Sequence, residues 1–336
     1  MQGMGMQESI GRVMASKNAM VLDMFIKAHD VLSSHARACV SVSGGADSDV
    51  MIDLVERIRD GTGCEVHYVW FDTGLEYDAT KRHLDDLEAR YGIEILRRRA
   101  KKSIPTTCRE YGQPFVSKYV SEHMERLQRH RFQWEDGTLD ELSARYPRCQ
   151  SSLKWWTNSW TRVPGKPGHF DIGRNRWLKE FVMENPPTFP ISNRCCEYAK
   201  KRVAAQVNSE LGVDLELVGV RKAERGVRAT IGTCFTAHEG GVDVYRPLYW
   251  LSNSDRADYH RIFGLRHSDC YESWGFTRTG CVGCPFNINA AGELEVARRH
   301  EPRLVAAVER VFAESYEYTR MYRDYIATRD GQGRLF

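Results

Sequence analysis

The chain has 336 residues, a net charge of +3 and an apolar content of 42%, enough for one large α/β domain or two smaller ones around a sizeable core. No stretch approaches the ~20 apolar residues of a membrane span, and residues 1–16 lack the basic start and apolar centre of a secretory signal, so a cytoplasmic protein without membrane contact is expected. In that compartment ten cysteines do not form a disulfide framework; they are core thiols or metal ligands.

In chain order, residues 17–34 read as a helix with Met20, Val21, Met24, Phe25, Ala28 and Leu32 on one face. The apolar run Ala38-Cys39-Val40-Ser41-Val42 predicts a strand over 37–43, and Val50, Met51, Leu54, Val55 and Ile58 predict a helix over 49–59. Val66–Phe71 is a second strand ending at Asp72-Thr73-Gly74. A helix with Thr80, Leu84 and Leu87 leads to a third strand, Ile93–Leu96. Helices are expected near 116–130 and 139–160, a further strand over Leu215–Val220, a helix over 254–263 behind a Ser252 or Ser254 cap, one or two helices over 291–328, and a frayed tail from Arg329. The alternation of strands and helices argues for an α/β fold with a doubly wound, mostly parallel sheet, a helical insertion and a helical C-terminal region. The domains that follow are an N-terminal helical segment (1–35), an α/β domain assembled from 36–102 and 190–290, the insertion (103–189) and the C-terminal helices (291–336).

Between the first strand and its helix lies Ser43-Gly44-Gly45-Ala46-Asp47-Ser48. Two glycines let the backbone approach an oxyanion, and the unpaired N–H groups of a helix's first turn point at it. Ser43 and Ser48 add hydroxyls, and Asp47 would cap the helix or act through a metal or water. The same residues also suit a plain turn that starts a helix. The Walker pattern is excluded, because no lysine follows the glycines. Asp72-Thr73-Gly74 ends a neighbouring strand and is expected to face the same ligand.

Cys195-Cys196 and Cys281-Val282-Gly283-Cys284 form the second pattern. A C-x-x-C turn with glycine in third place aims two thiolates at one metal, and four cysteines suffice for zinc or a [4Fe–4S] cluster. Lys200 and Lys201 would neutralise an anionic cluster or substrate, or simply form a solvated face. Arg97-Arg98-Arg99 with Lys101 and Lys102, and Arg126, Arg129 and Arg131, are basic clusters that suit a solvated face or an anionic partner. Trp155, Trp156 and Trp160 suit packing better than base stacking.

These segments resemble, in the same order, those of the phosphoadenylyl-sulfate (PAPS) reductase family of PP-loop, adenine nucleotide α-hydrolase-like enzymes. Ser43–Ser48 resembles its pyrophosphate loop, Phe71–Glu76 its DTG segment, and Gly219-Val220-Arg221-Lys222-Ala223-Glu224 with Arg225 and Arg228 its arginine loop. Tyr245–Trp250 resembles its P-L-x-x-W segment, and Gly280–Pro285 its cysteine turn. The resemblance covers roughly 36–100 and 190–290. It implies a nucleotide site of Ser43, Gly44, Gly45, Ala46, Asp47, Ser48, Asp72, Thr73, Gly74, Arg221 and Arg228, with Ser43, Asp47, Arg221 and Arg225 in the chemistry.

The CC…CxxC set is similar to that of adenylyl-sulfate reductases and implies a [4Fe–4S] cluster on Cys195, Cys196, Cys281 and Cys284, with zinc as the alternative. The nucleophilic cysteine of the reductases' C-terminal tail has no counterpart, since no cysteine follows Cys284. An internal thiol, such as Cys108 or Cys149, would have to substitute for it. The chain thus looks like the branch that includes the sulfur-transfer protein of DNA phosphorothioation (DndC-like). That branch implies ATP and Mg2+ (on Asp47 or Asp72), adenylation of a nucleic-acid or small-molecule acceptor, a sulfur donor and a homo-oligomer. The alternative is reduction of adenylyl sulfate or PAPS with a thioredoxin-like reductant.

Overall fold

Six strands make one sheet in the computed structural model, which describes residues 5–160, 166–224 and 226–332. They are β1 (Arg37–Val42), β2 (Glu65–Asp72), β3 (Ile95–Arg99), β4 (Leu215–Val218), β5 (Phe235–Thr236) and β6 (Asp243–Tyr245), in the spatial order β3-β2-β1-β4-β6-β5. Every pairing is parallel except the short antiparallel edge formed by β5 and β6. The chain works outward from β1 to β3 and then returns to β4 on the other side of β1. The order therefore reverses between β1 and β4, which is where doubly wound sheets bind ligands.

The chain divides into two compact units, one of Met1–Lys101 with Ala199–Val282 and the other of Lys102–Tyr198 with Gly283–Phe336. The first holds the whole sheet. β1 is buried along almost its full length, as a central parallel strand covered on both faces must be. Its core joins Val40, Val42, Leu215 and Leu217 of the strands to Val50, Leu54 and Ile58 of the helix Ala46–Ile58 and to Phe25, Ala28 and Leu32 of the helix Ala19–Ser33. An N-terminal helix, Met6–Ser16, adds Val13 to this core. The sequence predicts a helical segment over 1–35 but an apolar helix face only from residue 17, because the residues of 6–16 other than Val13 are mostly polar or glycine.

The second unit has no strand among its described residues beyond a single bridge, Gln113 to Ile191. Its core is aromatic: Phe115, Phe132, Trp155, Trp156 and Phe181 pack with Tyr318 and Tyr322 of the long helix Ala313–Gln332. Trp155 and Trp156 are fully buried, whereas Trp160 is exposed beside the Lys154 ammonium.

Several boundaries differ from expectation for physical reasons. The helix after the glycine loop begins at Ala46 because Gly45, in extended backbone (φ −99°, ψ 160°), takes the N-cap. Ala46, Asp47 and Ser48 therefore stand in the first turn. The third strand runs over Ile95–Arg99, in register with Tyr68–Asp72, so the three arginines belong to an edge strand. Pro147 divides 139–160 into the helices Leu139–Arg145 and Gln150–Trp156, since it supplies no N–H to continue the first. Pro302 holds Glu301 out of helical geometry (φ −133°, ψ 59°), and 291–328 becomes parts of three helices rather than one or two. Residues 329–332, expected to fray, continue the last helix.

Candidate functional site

The glycine loop leaves β1 at the switch point. Gly44 has φ +66°, where a side chain is strained, and a Cβ there would lie 2.5 Å from the Thr80 methyl group. Gly45 N–H reaches Ser43 Oγ at 3.3 Å, while the N–H of Ser48 closes the first turn onto Gly45 O at 2.8 Å. Gly219, just past β4, brings its α-carbon against the Asp47–Ser48 backbone, where a Cβ would sit 3.6 Å from the Asp47 carbonyl. The Ser48 hydroxyl is buried without a hydrogen-bond partner. Glycines, a helix N-terminus and two serine hydroxyls thus converge at the carboxyl ends of β1 and β4, an arrangement that attracts an anion.

Asp47 is not the helix cap. One of its oxygens, Oδ1, accepts from Arg221 Nε at 2.9 Å and from an Arg256 guanidinium nitrogen at 3.0 Å. Arg221, 4% exposed, also donates to Asn253 Oδ1 at 3.0 Å. The guanidinium read from sequence as a phosphate contact is therefore committed to the loop's own carboxylate. Arg228 is exposed and pairs with Glu224 four residues before it, and Arg225 lies outside the described residues. Arg256 and Asn253 had no signal in the sequence beyond membership of the helix Asn253–Phe263, which carries both to the loop.

The DTG segment is close by in the sheet, after β2. Asp72 Oδ1 accepts from the Gly74 N–H at 2.8 Å, forming a turn in which Gly74 has φ +84°. Its other oxygen lies 3.9 Å from Nε of the exposed Arg99. Thr73 is fully buried; its hydroxyl donates to Glu76 Oε1 at 2.7 Å and lies 3.7 Å from Cys281 Sγ. Burial pushes the Glu76 carboxyl up, with Lys200 and Thr73 opposing. The Val282 N–H donates to Leu75 O at 2.9 Å, so the start of the C-x-x-C turn is fixed to the DTG segment by backbone as well as side chain.

The remaining cysteines of the pattern, Cys195, Cys196 and Cys284, belong to the second unit, together with Cys108. The Cys195 thiol is pushed up first by a hydrogen bond with Cys108, with Cys196 opposing and with burial and the charges of Cys108 and Cys284 adding. Three thiols of this unit, Cys108, Cys196 and Cys284, are therefore within electrostatic reach of Cys195. Cys108 joins them because the Gln113–Ile191 bridge draws the helix Ile104–Tyr111 against the turn Arg194–Cys196. Cys149 is buried elsewhere, in the aromatic core. Gly283, at φ +60°, permits the tight turn, and its carbonyl accepts from the Tyr316 hydroxyl. Among the described residues no three His, Cys, Asp or Glu side chains stand in a ready-made metal arrangement. The donor set is nevertheless all sulfur, which suits iron–sulfur or zinc by its chemistry.

Three arginines of the basic clusters are paired with acids. Arg97 pairs with Asp85 and with Glu88 (2.7 Å), Arg126 with Glu122 (3.3 Å) and Arg129 with Glu125 (2.6 Å).

Residues 37–131, which span the loop, the DTG segment and the first three strands, match the family model of the phosphoadenosine phosphosulfate reductase domain. The chain carries a PAPS reductase-family domain. A protein of Methanocaldococcus jannaschii, itself uncharacterized, is 37% identical over 75 residues, a match that takes in 22% of this chain and 15% of that protein's length. Among solved structures, the PAPS reductase of Candida auris in its phosphate complex has a TM-score of 0.38 at 13% identity, covering 73% of this chain and 80% of that one. The U34-tRNA thiolase NcsA of Methanococcus maripaludis, with its [4Fe–4S] cluster, has a TM-score of 0.40 at 15% identity, covering 93% and 80%. No helix among the described residues is long and apolar enough to cross a membrane.

Proposed function

We propose that this protein is a PP-loop ATP pyrophosphatase that activates an acceptor for sulfur transfer. The observation that carries the reading is the glycine cradle at the β1/β4 switch point, lying within the matched PAPS reductase domain. In the proposed reaction an acceptor oxygen attacks the α-phosphorus of ATP, the bond to the bridging oxygen breaks, and pyrophosphate leaves. A sulfur nucleophile from a donor then attacks the acceptor atom bearing the adenylated oxygen, and AMP departs with that oxygen.

The loop amides at Gly44 and Gly45 and the first turn at Ala46 would hold the pyrophosphate as its charge grows. Ser43 and Ser48 hydroxyls add donors. Asp47 holds Arg221 and Arg256 against the loop, so these arginines act as fixed positive charge beside it. With two guanidinium groups on one oxygen, Asp47 is a poor ligand for Mg2+. Asp72, whose second oxygen has a single long contact of 3.9 Å to an exposed Arg99, is the better one.

We propose a [4Fe–4S] cluster, or zinc, as the cofactor, with Cys195, Cys196 and Cys284 of the second unit among its ligands; the cluster would supply an electron reservoir or a Lewis-acidic iron for sulfur, and zinc a Lewis acid alone. The acceptor is a nucleic acid or small molecule, and the chain works in the cytoplasm as a homo-oligomer.

The decisive experiment is pyrophosphate release from radiolabelled ATP, supplied with candidate acceptors under anaerobic conditions. Release is expected, with a loss of about 10²-fold or more in Ser43→Ala and Asp47→Ala; intact ATP with every acceptor would sink the reading. The name of the matched domain favours a second reading, reduction of adenylyl sulfate or PAPS. Sulfite formation with a thiol donor would establish that one instead.

A further inference from the structure

Behind the first turn of the helix Ala46–Ile58 lies a buried group that the nucleotide chemistry above does not use. Asp49, 1% exposed, accepts on Oδ2 from His83 Nε2 at 3.0 Å and from His267 Nδ1 at 2.6 Å. Its other oxygen is buried without a partner. His267 Nε2 meets His260 Nδ1 at 3.1 Å, and the His267 ring faces the Tyr271 ring at 5.5 Å between centroids. The Tyr271 hydroxyl accepts the Thr279 N–H at 2.9 Å and lies 3.2 Å from Thr279 Oγ1. A Cβ built on Gly45 would come within 3.1 Å of the Tyr271 hydroxyl and 3.2 Å of Thr279 Oγ1. The two hydroxyls therefore stand over the glycine of the cradle.

We propose that Tyr271 is a further phosphate contact of the glycine loop, and that Asp49, His83 and His267 are positioning residues that hold it there. The inference rests on the nucleotide reading of the loop and names a contact that reading lacks. A phenolic hydroxyl at this place can donate to a phosphate oxygen. It is also held rigidly: the Thr279 N–H fixes its oxygen and the His267 ring backs its ring. His267 in turn is fixed by Asp49, which sits at the positive end of the helix that carries the loop.

A carboxylate this deep needs compensation, because an unpaired buried charge is costly. Burial pushes Asp49 up, but the hydrogen bonds from His267 and His83 outweigh it and hold the carboxyl below its usual range. Burial pushes His83 down, and the Asp49 hydrogen bond and charge outweigh it, so its imidazolium persists above the ordinary value of 6.5. Burial takes His260 down to about 4, which leaves it neutral. The other charges facing the group are Asp86 and Arg90 for His83, and Arg256 and Asp47 for His260. His83 is raised on folding, so its contribution is complete below pH 6.5 and is lost as pH rises through its higher folded value. Beyond that point His83 donates to Asp49 as a neutral ring, and the support behind Tyr271 weakens.

The test is calorimetric titration of the full chain with ATP and Mg2+ from about pH 6 to about pH 9, spanning the range over which a histidine titrates. Wild type is compared with Tyr271→Phe and His83→Gln, with circular dichroism as a check on folding. Tyr271→Phe is expected to weaken binding by about three- to tenfold throughout, the worth of one hydrogen bond. Wild-type affinity is expected to fall at the alkaline end, and His83→Gln to abolish that fall. Wild-type affinity in Tyr271→Phe overturns the phosphate contact, and an unchanged pH profile in His83→Gln overturns the positioning role. If His83→Gln fails to fold, the Tyr271→Phe arm decides. No binding by the wild type at any pH would instead overturn the nucleotide reading itself.

Discussion

The two units are built from different materials. The first packs Val, Ile and Leu from β1, β4 and the flanking helices, on backbone tied by parallel ladders. The second is richer in rings, packing Phe, Trp and Tyr beside Leu, Val and Ile on mostly short helices and irregular segments. Branched aliphatic chains suit the regular spacing of a sheet covered on both faces. Where helices are only seven residues long, as in Leu139–Arg145, Gln150–Trp156 and Leu178–Glu184, a few large rings must fill the space between them. Stability in the first unit is thus spread over many small contacts. In the second it is concentrated in a few residues.

That contrast can be broken most directly at Trp156, fully buried, with its indole N–H donating to Glu135 O at 2.9 Å. Trp156→Ala is expected to cost about 3–5 kcal/mol in urea unfolding. A cost below that of an ordinary surface change would show that the aromatic core is not concentrated as described. Gly44→Ala should have a smaller effect on stability, about 1–2 kcal/mol, from a side chain forced to positive φ. Because Thr80 must also shift, ATP affinity is expected to fall with it; retained affinity in calorimetry would show that the loop does not need its glycine geometry. Thr138→Ala, which removes a capping box with Glu141, should cost about 1 kcal/mol. Thermal melts would read it, and no change would show that the short helix is held by its tertiary packing alone.

The materials also decide what could be read beforehand. β1, the glycine loop and the following helix show because apolar alternation, two glycines and a helical repeat adjoin one another in the chain. The ion pairs around Asp47 do not, because Arg221 and Arg256 are 174 and 209 residues away and no local pattern links them. Asp49, His83 and His267 were missed for the same reason: an acid and two histidines carry no signal until α/β packing buries them together. The division of residues 139–160 was announced by Pro147, but the tryptophan-rich run resembles one continuous apolar helix. Cys108 stood out only as a spare thiol; its neighbourhood with Cys195 depends on the Gln113–Ile191 bridge.

Each unit is assembled from two stretches of chain, and this bears on synthesis. β4, which pairs with β1 and completes the switch point, lies more than a hundred residues downstream of it. Residues up to Val282 are needed before the first unit has all its parts, and the helix Ala313–Gln332 is needed before Phe115 and Phe181 find Tyr318 and Tyr322. Closure of such distant contacts is slow and leaves apolar surface exposed in the meantime. A nascent chain of this protein therefore waits on segments far downstream of β1, and stalling translation after β3 would strand half a sheet with an open edge at β1.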